Sequence, residues 1–116
     1  MYEDLRLRSP KLFKQVYAQG KSVHAEDLVL HFLYRDENEQ TRVGFSVSKR
    51  VGNAVTRNKF KRRLRAIVME VGVALKPGFL LVFVARPGAA TTSFGSLNES
   101  ARDLLRRAQV LEASSQ

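Results

Sequence analysis

The spacing of apolar and polar positions predicts six elements in the order α-β-β-α-β-α. Ser9 and Pro10 are typical of an N-cap followed by a first helical residue, and this helix is predicted to run to about Gln19, where Gly20 ends it. Alternating or continuous apolar runs then predict three strands, over 26–34, 41–48 and 79–85. The last strand, "FLLVFVA", is apolar on both sides, which is typical of a central position in a sheet.

A long helix is predicted from about Ala54 to Val73, with Asn53 as its N-cap. Its apolar residues recur at helical spacing and form one stripe that faces a core, namely Phe60, Leu64, Ile67, Val68 and Val71. Ser96 and Glu99 match a capping box, which predicts the start of a last helix. That helix would turn inward Leu97, Ala101, Leu104, Leu105 and Ala108.

This element order predicts an α/β (α+β) two-layer sandwich, in which helices pack on a small mixed sheet of three to four strands. Residues 1–116 are predicted to form a single domain, with a frayed tail over about 111–116. One face of strand 41–48 is small and polar, so another element can approach it closely; this face carries Arg42, Gly44, Ser46 and Ser48.

Composition narrows the class of protein. The chain is 44% hydrophobic, too much for a disordered segment, and no apolar run approaches the roughly 20 residues of a membrane span. The first residues lack the apolar stretch of a secretory signal, and the absence of cysteine excludes disulfides. We therefore expect a cytoplasmic domain with no membrane partner.

The charge balance points to a polyanionic partner. The net charge is +9 and the pI is about 10.5, and nine basic residues but no acidic one lie between Gln40 and Met69. Six of the nine fall in "TRNKFKRRLR", residues 56–65. Like charges four residues apart on a helix repel by roughly a few tenths of a kcal/mol per pair. A solvated face or a nuclear localisation signal remains an alternative, but a phosphate-rich ligand also explains the arginine excess and the position near the helix N-terminus.

The helical wheel ranks these basic residues. Arg57, Lys61 and Arg65 form a row spaced by four along the edge of the apolar stripe, and Asn58 and Arg62 lie beside the row. Lys59 and Arg63 turn further round the helix. They and Asn53 are predicted to make weaker contacts with a phosphate-rich ligand.

Two aromatic residues one turn apart on the first helix, Phe13 and Tyr17, have two interpretations. They are either core residues or a stacking platform for unpaired bases. Polar and basic side chains in and after the second strand would supply phosphate donors next to such a platform, namely Ser46, Ser48, Lys49 and Arg50.

Signals for an enzyme are weak. Ser46 and Lys49 match the S-x-x-K motif of penicillin-binding proteins, but the segment is a strand and the partner motifs are absent. His24 and His31 have no metal-ligand spacing, so no metal site is predicted. A general RNA- or DNA-binding module and a protein-only nuclease remain alternatives, the second the weaker for want of a carboxylate cluster near the basic region.

Residues 42–65, "RVGFSVSKRVGNAVTRNKFKRRLR", resemble the protein subunit of bacterial ribonuclease P. Nearly the whole segment matches the family pattern RVG-x-SVSK-[KR]-x-G-x-AV-x-RN-x-x-KR-x-x-R. "FKQVYAQGKS" (13–22) and "VFVARPGA" (82–89) extend the resemblance over most of the chain.

The resemblance implies a role in removing the 5′ leader of precursor tRNA, with a catalytic RNA that uses Mg²⁺ bound mainly by the RNA. The protein would bind that RNA and the leader as a monomer in a 1:1 complex, without breaking bonds itself. It also implies an α/β sandwich with a left-handed βαβ crossover, against the usual hand.

The same resemblance assigns roles to residues. Those expected to face the catalytic RNA are Arg57, Asn58, Lys61, Arg62 and Arg65. Phe13 and Tyr17 match aromatic positions of a leader-binding cleft, and His31 stands where the cleft often has a tyrosine. Ser46, Ser48, Lys49 and Arg50 complete the predicted cleft.

Overall fold

The computed structural model describes residues 2–112, which form four α-helices, four strands and two short 3₁₀ segments. The helices are α1 (Tyr2–Leu5), α2 (Pro10–Gln19), α3 (Ala54–Val71) and α4 (Phe94–Arg107). The strands are β1 (Lys21–His24), β2 (Leu28–Tyr34), β3 (Arg42–Ser46) and β4 (Phe79–Ala85). The 3₁₀ segments are Gly72–Ala74 and Pro87–Thr91. No helix in this range is long and apolar enough to cross a membrane.

The strands form one mixed sheet in the order β1-β2-β4-β3. β2 is antiparallel to both β1 and β4, whereas β3 and β4 are parallel. Parallel neighbours need a crossover, and α3 supplies it, so β3, α3 and β4 form a βαβ unit. The central position predicted for 79–85 is confirmed, since β4 lies between β2 and β3.

Both faces of the sheet are covered by helices. Successive side chains of β4 point to opposite sides, so each face carries apolar residues that need to be buried. Leu81 and Phe83 belong to the main core, which contains the apolar stripes of α3 and α4. Leu80 and Val82 pack with Val16 of α2 in a smaller cluster. The predicted class, an α+β sandwich on a small mixed sheet, is confirmed, and α2 alone forms the helical layer on the second face.

The long helix matches its prediction closely. The Asn53 side chain accepts a hydrogen bond from the Thr56 amide at 2.9 Å, so Asn53 is the N-cap. All five residues of the predicted core stripe, from Phe60 to Val71, are buried. The α-helix ends at Val71 and continues as a 3₁₀ turn through Ala74. The N-cap of α2 is likewise confirmed, since Ser9 Oγ accepts from the Leu12 amide at 3.3 Å.

Three boundaries differ from the sequence prediction. The second predicted strand ends at Ser46, so Ser48 lies beyond the strand rather than on its polar face. The first predicted strand begins at Leu28, and the segment after Gly20 forms the unpredicted edge strand β1. Part of the predicted frayed tail is ordered: Leu111 bridges to Leu75, and the Glu112 amide donates to the Ala74 carbonyl. The remainder, 113–116, lies outside the described residues.

The capping box predicted at Ser96 is wrong. α4 begins one turn earlier, at Phe94, and the Ser93 hydroxyl accepts from the Ser96 amide at 3.1 Å. Ser93 has the extended backbone of an N-cap, so its oxygen satisfies an amide that has no partner within the helix. Ser96 therefore acts through its backbone.

Ser93→Ala is expected to lower the free energy of unfolding by about 1 kcal/mol, the usual cost of losing an N-cap side chain. Ser96→Ala is the matched control, three residues further on, and should change stability by about 0.5 kcal/mol at most, the range for surface substitutions. Urea denaturation followed by circular dichroism measures both. Equal losses in the two variants would contradict Ser93 as the cap.

Candidate nucleic-acid interface

The floor of the predicted cleft is the face of the sheet on which α2 lies. The register places His31 of β2, Val82 of β4 and Gly44 of β3 in one row across this face. The next row toward the end of β3 is Val29, Val84 and Ser46. The residues of this second row are half-buried, so α2 leaves part of the sheet face open beside it.

Two aromatic residues of α2 form the wall of the cleft. Phe13 is half-buried against β3: a Cβ atom added at Gly44 would lie 2.5 Å from Phe13 Cζ, so the ring needs a glycine there. Tyr17 keeps 45% of its surface exposed and meets the His31 ring edge-on, with 5.0 Å between ring centroids. Phe13, Tyr17 and His31 therefore lie on the same side of the sheet, with Tyr17 in contact with His31 and partly exposed.

The His31 ring is held in a form suited to stacking. Burial lowers the pKa of His31 below its ordinary value, and the nearby His24 lowers it further. A depressed pKa favours the neutral imidazole at pH 7, so His31 offers a ring and a hydrogen bond there rather than a positive charge. His24 lies at the sheet edge, where its Nε2 is 3.1 Å from the Ser22 hydroxyl.

The loop from Val47 to Asn53 carries two basic residues to the end of this cleft. Val47 and Val51 are buried and anchor the loop, while Lys49 and Arg50 between them are exposed. The Ser48 hydroxyl accepts from the Arg50 amide at 3.3 Å, which stabilises the turn. Ser48 thus shapes the loop that follows Ser46, and Lys49 and Arg50 are the cationic groups at the open end of the floor.

The basic row of α3 is positioned by contacts that leave its charges available. Arg57 is half-buried, and its Nε donates to the Gly52 carbonyl at 3.2 Å. The Arg65 guanidinium lies over the Tyr2 ring, 5.9 Å from the centroid, a distance at which a cation is attracted to the ring face. Lys61 is half-buried between them along the row, and Asn58 and Arg62 are exposed beside it.

No basic side chain between Arg57 and Arg65 forms a salt bridge within residues 2–112. The weaker candidates are distinguished by their contacts. Arg63 donates to the Thr92 carbonyl at 3.3 Å and so turns toward the loop before α4, and the Asn53 side chain is used as the helix cap. Lys59 is exposed, with no hydrogen bond in the described part of the chain.

Sequence reasoning missed the contribution of the N-terminal segment. Tyr2 of α1 is buried, its hydroxyl donates to the Val43 carbonyl at 3.1 Å, and its ring stacks on Phe45 at 5.4 Å. Because Tyr2 is fixed by these contacts, its ring holds the Arg65 guanidinium in place. The amphipathic pattern of a four-residue helix is too short to predict this contact, which depends on the chain returning from β3 and α3 to the same place.

Candidate metal ligands are scattered over the described part of the chain. Within residues 2–112, no three histidine or acidic side chains lie close enough together to hold a metal ion. That the protein itself holds no Mg²⁺ stays a prediction from the sequence.

Aromatic side chains over a half-open sheet face, together with a helix whose arginines have no acidic partner within residues 2–112, are typical of a small α+β nucleic-acid-binding protein. The family model for Ribonuclease P matches residues 1–109. The chain therefore belongs to the ribonuclease P protein family. As such it is a protein component of an endoribonuclease holoenzyme that acts in the 5′ processing of tRNA, and it associates with the ribonuclease P RNA.

Relatives with the same printed name cover nearly the whole chain. The ribonuclease P protein component of Symbiobacterium thermophilum is 38% identical over 112 residues, which is 97% of each chain. That of Clostridioides difficile is 34% identical over 105 residues, or 90% of this chain and 91% of the relative.

Solved structures show the same fold. The Staphylococcus aureus RNase P protein aligns with a TM-score of 0.85 at 29% identity, covering 93% of this chain and 98% of that one. The Thermotoga maritima protein aligns with a TM-score of 0.79 at 29% identity, covering 88% and 96%. Such agreement requires the βαβ crossover of this chain to have the same hand as the crossover in those two structures. The opposite hand would place α3 on the other face of the sheet.

Proposed function

We propose that this chain, as one domain, docks on the catalytic RNA through α3 and holds the 5′ leader of precursor tRNA in the cleft beside α2. The observation that carries the docking role is the row of Arg57, Lys61 and Arg65, which has no acidic partner within residues 2–112. Unpaired cations at this spacing repel one another. Phosphates along an RNA strand relieve that repulsion and release counterions on binding.

The leader-binding role is supported by the chemistry of the cleft. Tyr17 and Phe13 offer aromatic surface. Val29 and Val84, in the sheet next to them, are apolar and only half-buried, so a ligand can contact them. Stacking on such surfaces tolerates any base. Lys49 and Arg50 at the open end can bind the backbone of the same strand. This arrangement suits an unpaired segment whose sequence varies from one tRNA precursor to another.

The division of labour follows from what the side chains can do. We propose that the RNA component holds the Mg²⁺ ions and performs the cleavage, and that the protein contributes affinity, orientation and charge screening between two polyanions. No cluster of carboxylates among residues 2–112 suits a metal-dependent nuclease site. We further propose a 1:1 complex of monomeric protein with the RNA, acting in the cytoplasm.

Reconstitution tests this proposal directly. The purified chain is mixed with a bacterial ribonuclease P RNA at physiological Mg²⁺, and removal of the 5′ leader is measured against protein-alone and RNA-alone controls. We expect stimulation over RNA alone and no cleavage by protein alone. Failure to stimulate would favour a general nucleic-acid-binding module, and cleavage by the protein alone would favour a protein-only nuclease.

A further inference from the structure

The basic row of α3 continues into an apolar surface at the C-terminal end of the helix. Met69 follows Arg65 by four residues and Val73 follows Met69 by four, so the three side chains are neighbours along the helix and its 3₁₀ extension. Met69 is 42% exposed and Val73 is 97% exposed. Two adjacent apolar side chains that are this open differ from the single scattered ones that any surface carries.

These two side chains border a small cavity between α1 and the end of α3, which we call the Met69 hollow. It has a volume of about 240 Å³, is open to solvent, and is lined by Asp4, Leu5, Met69, Gly72 and Val73. α1 approaches closely here because residue 72 is glycine: a Cβ atom on Gly72 would lie 3.3 Å from Leu5 Cδ1. The hollow is therefore formed by the packing of the N-terminal segment against α3.

The helix α1 also links the hollow to the basic row. The Arg65 guanidinium lies 5.9 Å from the centroid of the Tyr2 ring at one end of α1, and Leu5 at the other end lines the hollow. At 1.5 Å per residue, the ends of this four-residue helix are only about 5 Å apart. A second cation lies nearby, since the Arg42 guanidinium donates to the Asp4 carbonyl at 3.2 Å. One RNA strand can therefore contact Arg65 and the hollow together.

The lining of the hollow suits a nucleobase better than a phosphate. It has three apolar side chains, one carboxylate and no basic residue. A phosphate would meet the like charge of Asp4, whereas an unstacked base presents a flat ring and amino groups at its edge. The thioether of Met69 is polarisable and packs favourably on aromatic rings. A carboxylate accepts hydrogen bonds from the amino groups of bases.

A second copy of the chain is a poorer occupant of the hollow. Stable protein interfaces bury roughly 1,200–2,000 Å² in total, far more than five residues around this small cavity can supply. Two chains that each have a net charge of +9 also repel each other. The ribonuclease P RNA is a polyanion and is attracted to the same region of α3.

We propose that the Met69 hollow binds an unstacked nucleobase of the ribonuclease P RNA, next to phosphates held by Arg65. This role rests on the proposed docking of α3 and extends it. Contacts of arginine with phosphates position a protein on a nucleic acid but carry no sequence information. A base seated between Met69 and Leu5 fixes the register of α3 along the RNA, which the charges of the row cannot do.

The double variant Met69→Gln, Val73→Ser removes the apolar contacts and changes no charge. Its binding to a bacterial ribonuclease P RNA, measured by fluorescence anisotropy over a salt series, is expected to be about tenfold weaker, in the range of one lost stacking contact. The slope of log affinity against log salt should not change, because it follows the number of phosphates contacted.

Val55→Ser is the matched control, since Val55 is an exposed valine of α3 that does not line the hollow. It lies about 27 Å from Val73 along the helix, and its replacement should leave the affinity unchanged. Val73→Ser alone covers the case in which Met69→Gln lowers stability. Val73 is almost fully exposed, so this single variant should keep its stability and still bind about threefold more weakly.

Chemical probing of the RNA identifies the bound base. Dimethyl sulfate and a carbodiimide together modify the pairing edges of all four unpaired bases. At saturating protein, we expect one unpaired base to be protected by the unchanged chain and to be reactive again in the complex with the double variant. The same base should stay protected in the complex with Val55→Ser.

Four results would overturn the proposal: an unchanged affinity of the double variant, an equal loss in Val55→Ser, a loss of affinity in which no base regains reactivity, and a dimer of the unchanged chain in light scattering that the double variant abolishes. The last result would assign the hollow to a second copy. Failure of the docking role is a separate outcome, because it is reported by an unaltered salt slope when Arg57 and Arg65 are replaced by alanine.

Discussion

Replacing Arg57 and Arg65 together by alanine is expected to weaken binding of the chain to ribonuclease P RNA by roughly one to two orders of magnitude at about 0.1 M salt. Both side chains are held at the helix surface by one neutral contact each, with the Gly52 carbonyl and the Tyr2 ring. Their charges remain free to meet phosphates. Losing about two phosphate contacts should also reduce the slope of log affinity against log salt by about 1.5 units.

Filter binding or fluorescence anisotropy over a salt series measures both quantities. Arg102→Ala with Arg106→Ala is the matched control, because it removes the same charge from α4. Those arginines are paired with Glu70 at 3.0 Å and Asp103 at 3.8 Å, and exposed pairs of this kind contribute about 1 kcal/mol at most. The control should keep a slope close to that of the unchanged chain. An unaltered slope in the α3 double variant would exclude the docking role of this row.

The sequence predicted best those features that local periodicity and capping determine. The bounds of α2, the Asn53 cap and the buried stripe from Phe60 to Val71 all follow from residues within one element. The central place of β4 also followed from its own composition, because a strand that is apolar on both sides has to be covered on both sides.

Features that depend on distant pairing were not predictable in the same way. β1 is a four-residue edge strand whose residues are mostly exposed. It therefore lacks the apolar alternation from which a strand is predicted. It exists because β2 offers a free edge after the turn at Glu26. The start of α4 shows a different difficulty. Ser93 and Ser96 are both suitable N-caps by type, and only the backbone shows that the helix begins at Phe94.

The candidate interface also contains features that local signals predict and features that depend on distant contacts. The basic row of α3 could be identified from spacing alone. Its ranking over Lys59 and Arg63 stays a prediction, because Arg57 and Arg63 each donate one hydrogen bond to a backbone carbonyl. The Phe13–Gly44 contact and the Tyr17–His31 contact join residues that are 31 and 14 positions apart, and no local signal encodes them. The family resemblance indicated the aromatic positions, and the register of β2, β3 and β4 explains why they share one face.

Removing the Phe13 ring is expected to weaken binding of leader-bearing precursor tRNA to the reconstituted holoenzyme by about tenfold, with little change for mature tRNA. The ring lies against Gly44, and the next row of the sheet consists of the half-buried residues Val29, Val84 and Ser46. A base stacked on such a ring is worth about 1–3 kcal/mol. Mature tRNA has no leader and cannot use this contact, so the ratio of the two affinities isolates the contribution of the cleft.

Two variants of Phe13 separate stacking from packing. Phe13→Leu keeps most of the apolar volume against Gly44 but removes the aromatic face, so its stability should stay near that of the unchanged chain while the precursor preference falls. Phe13→Ala should lose both. Leu12→Ala, in the same apolar cluster of α2, is the control that lowers stability without touching an aromatic ring and should keep the precursor preference. Equal losses for precursor and mature tRNA in both Phe13 variants would identify Phe13 as a core residue only, because a packing defect weakens the whole domain without regard to the leader.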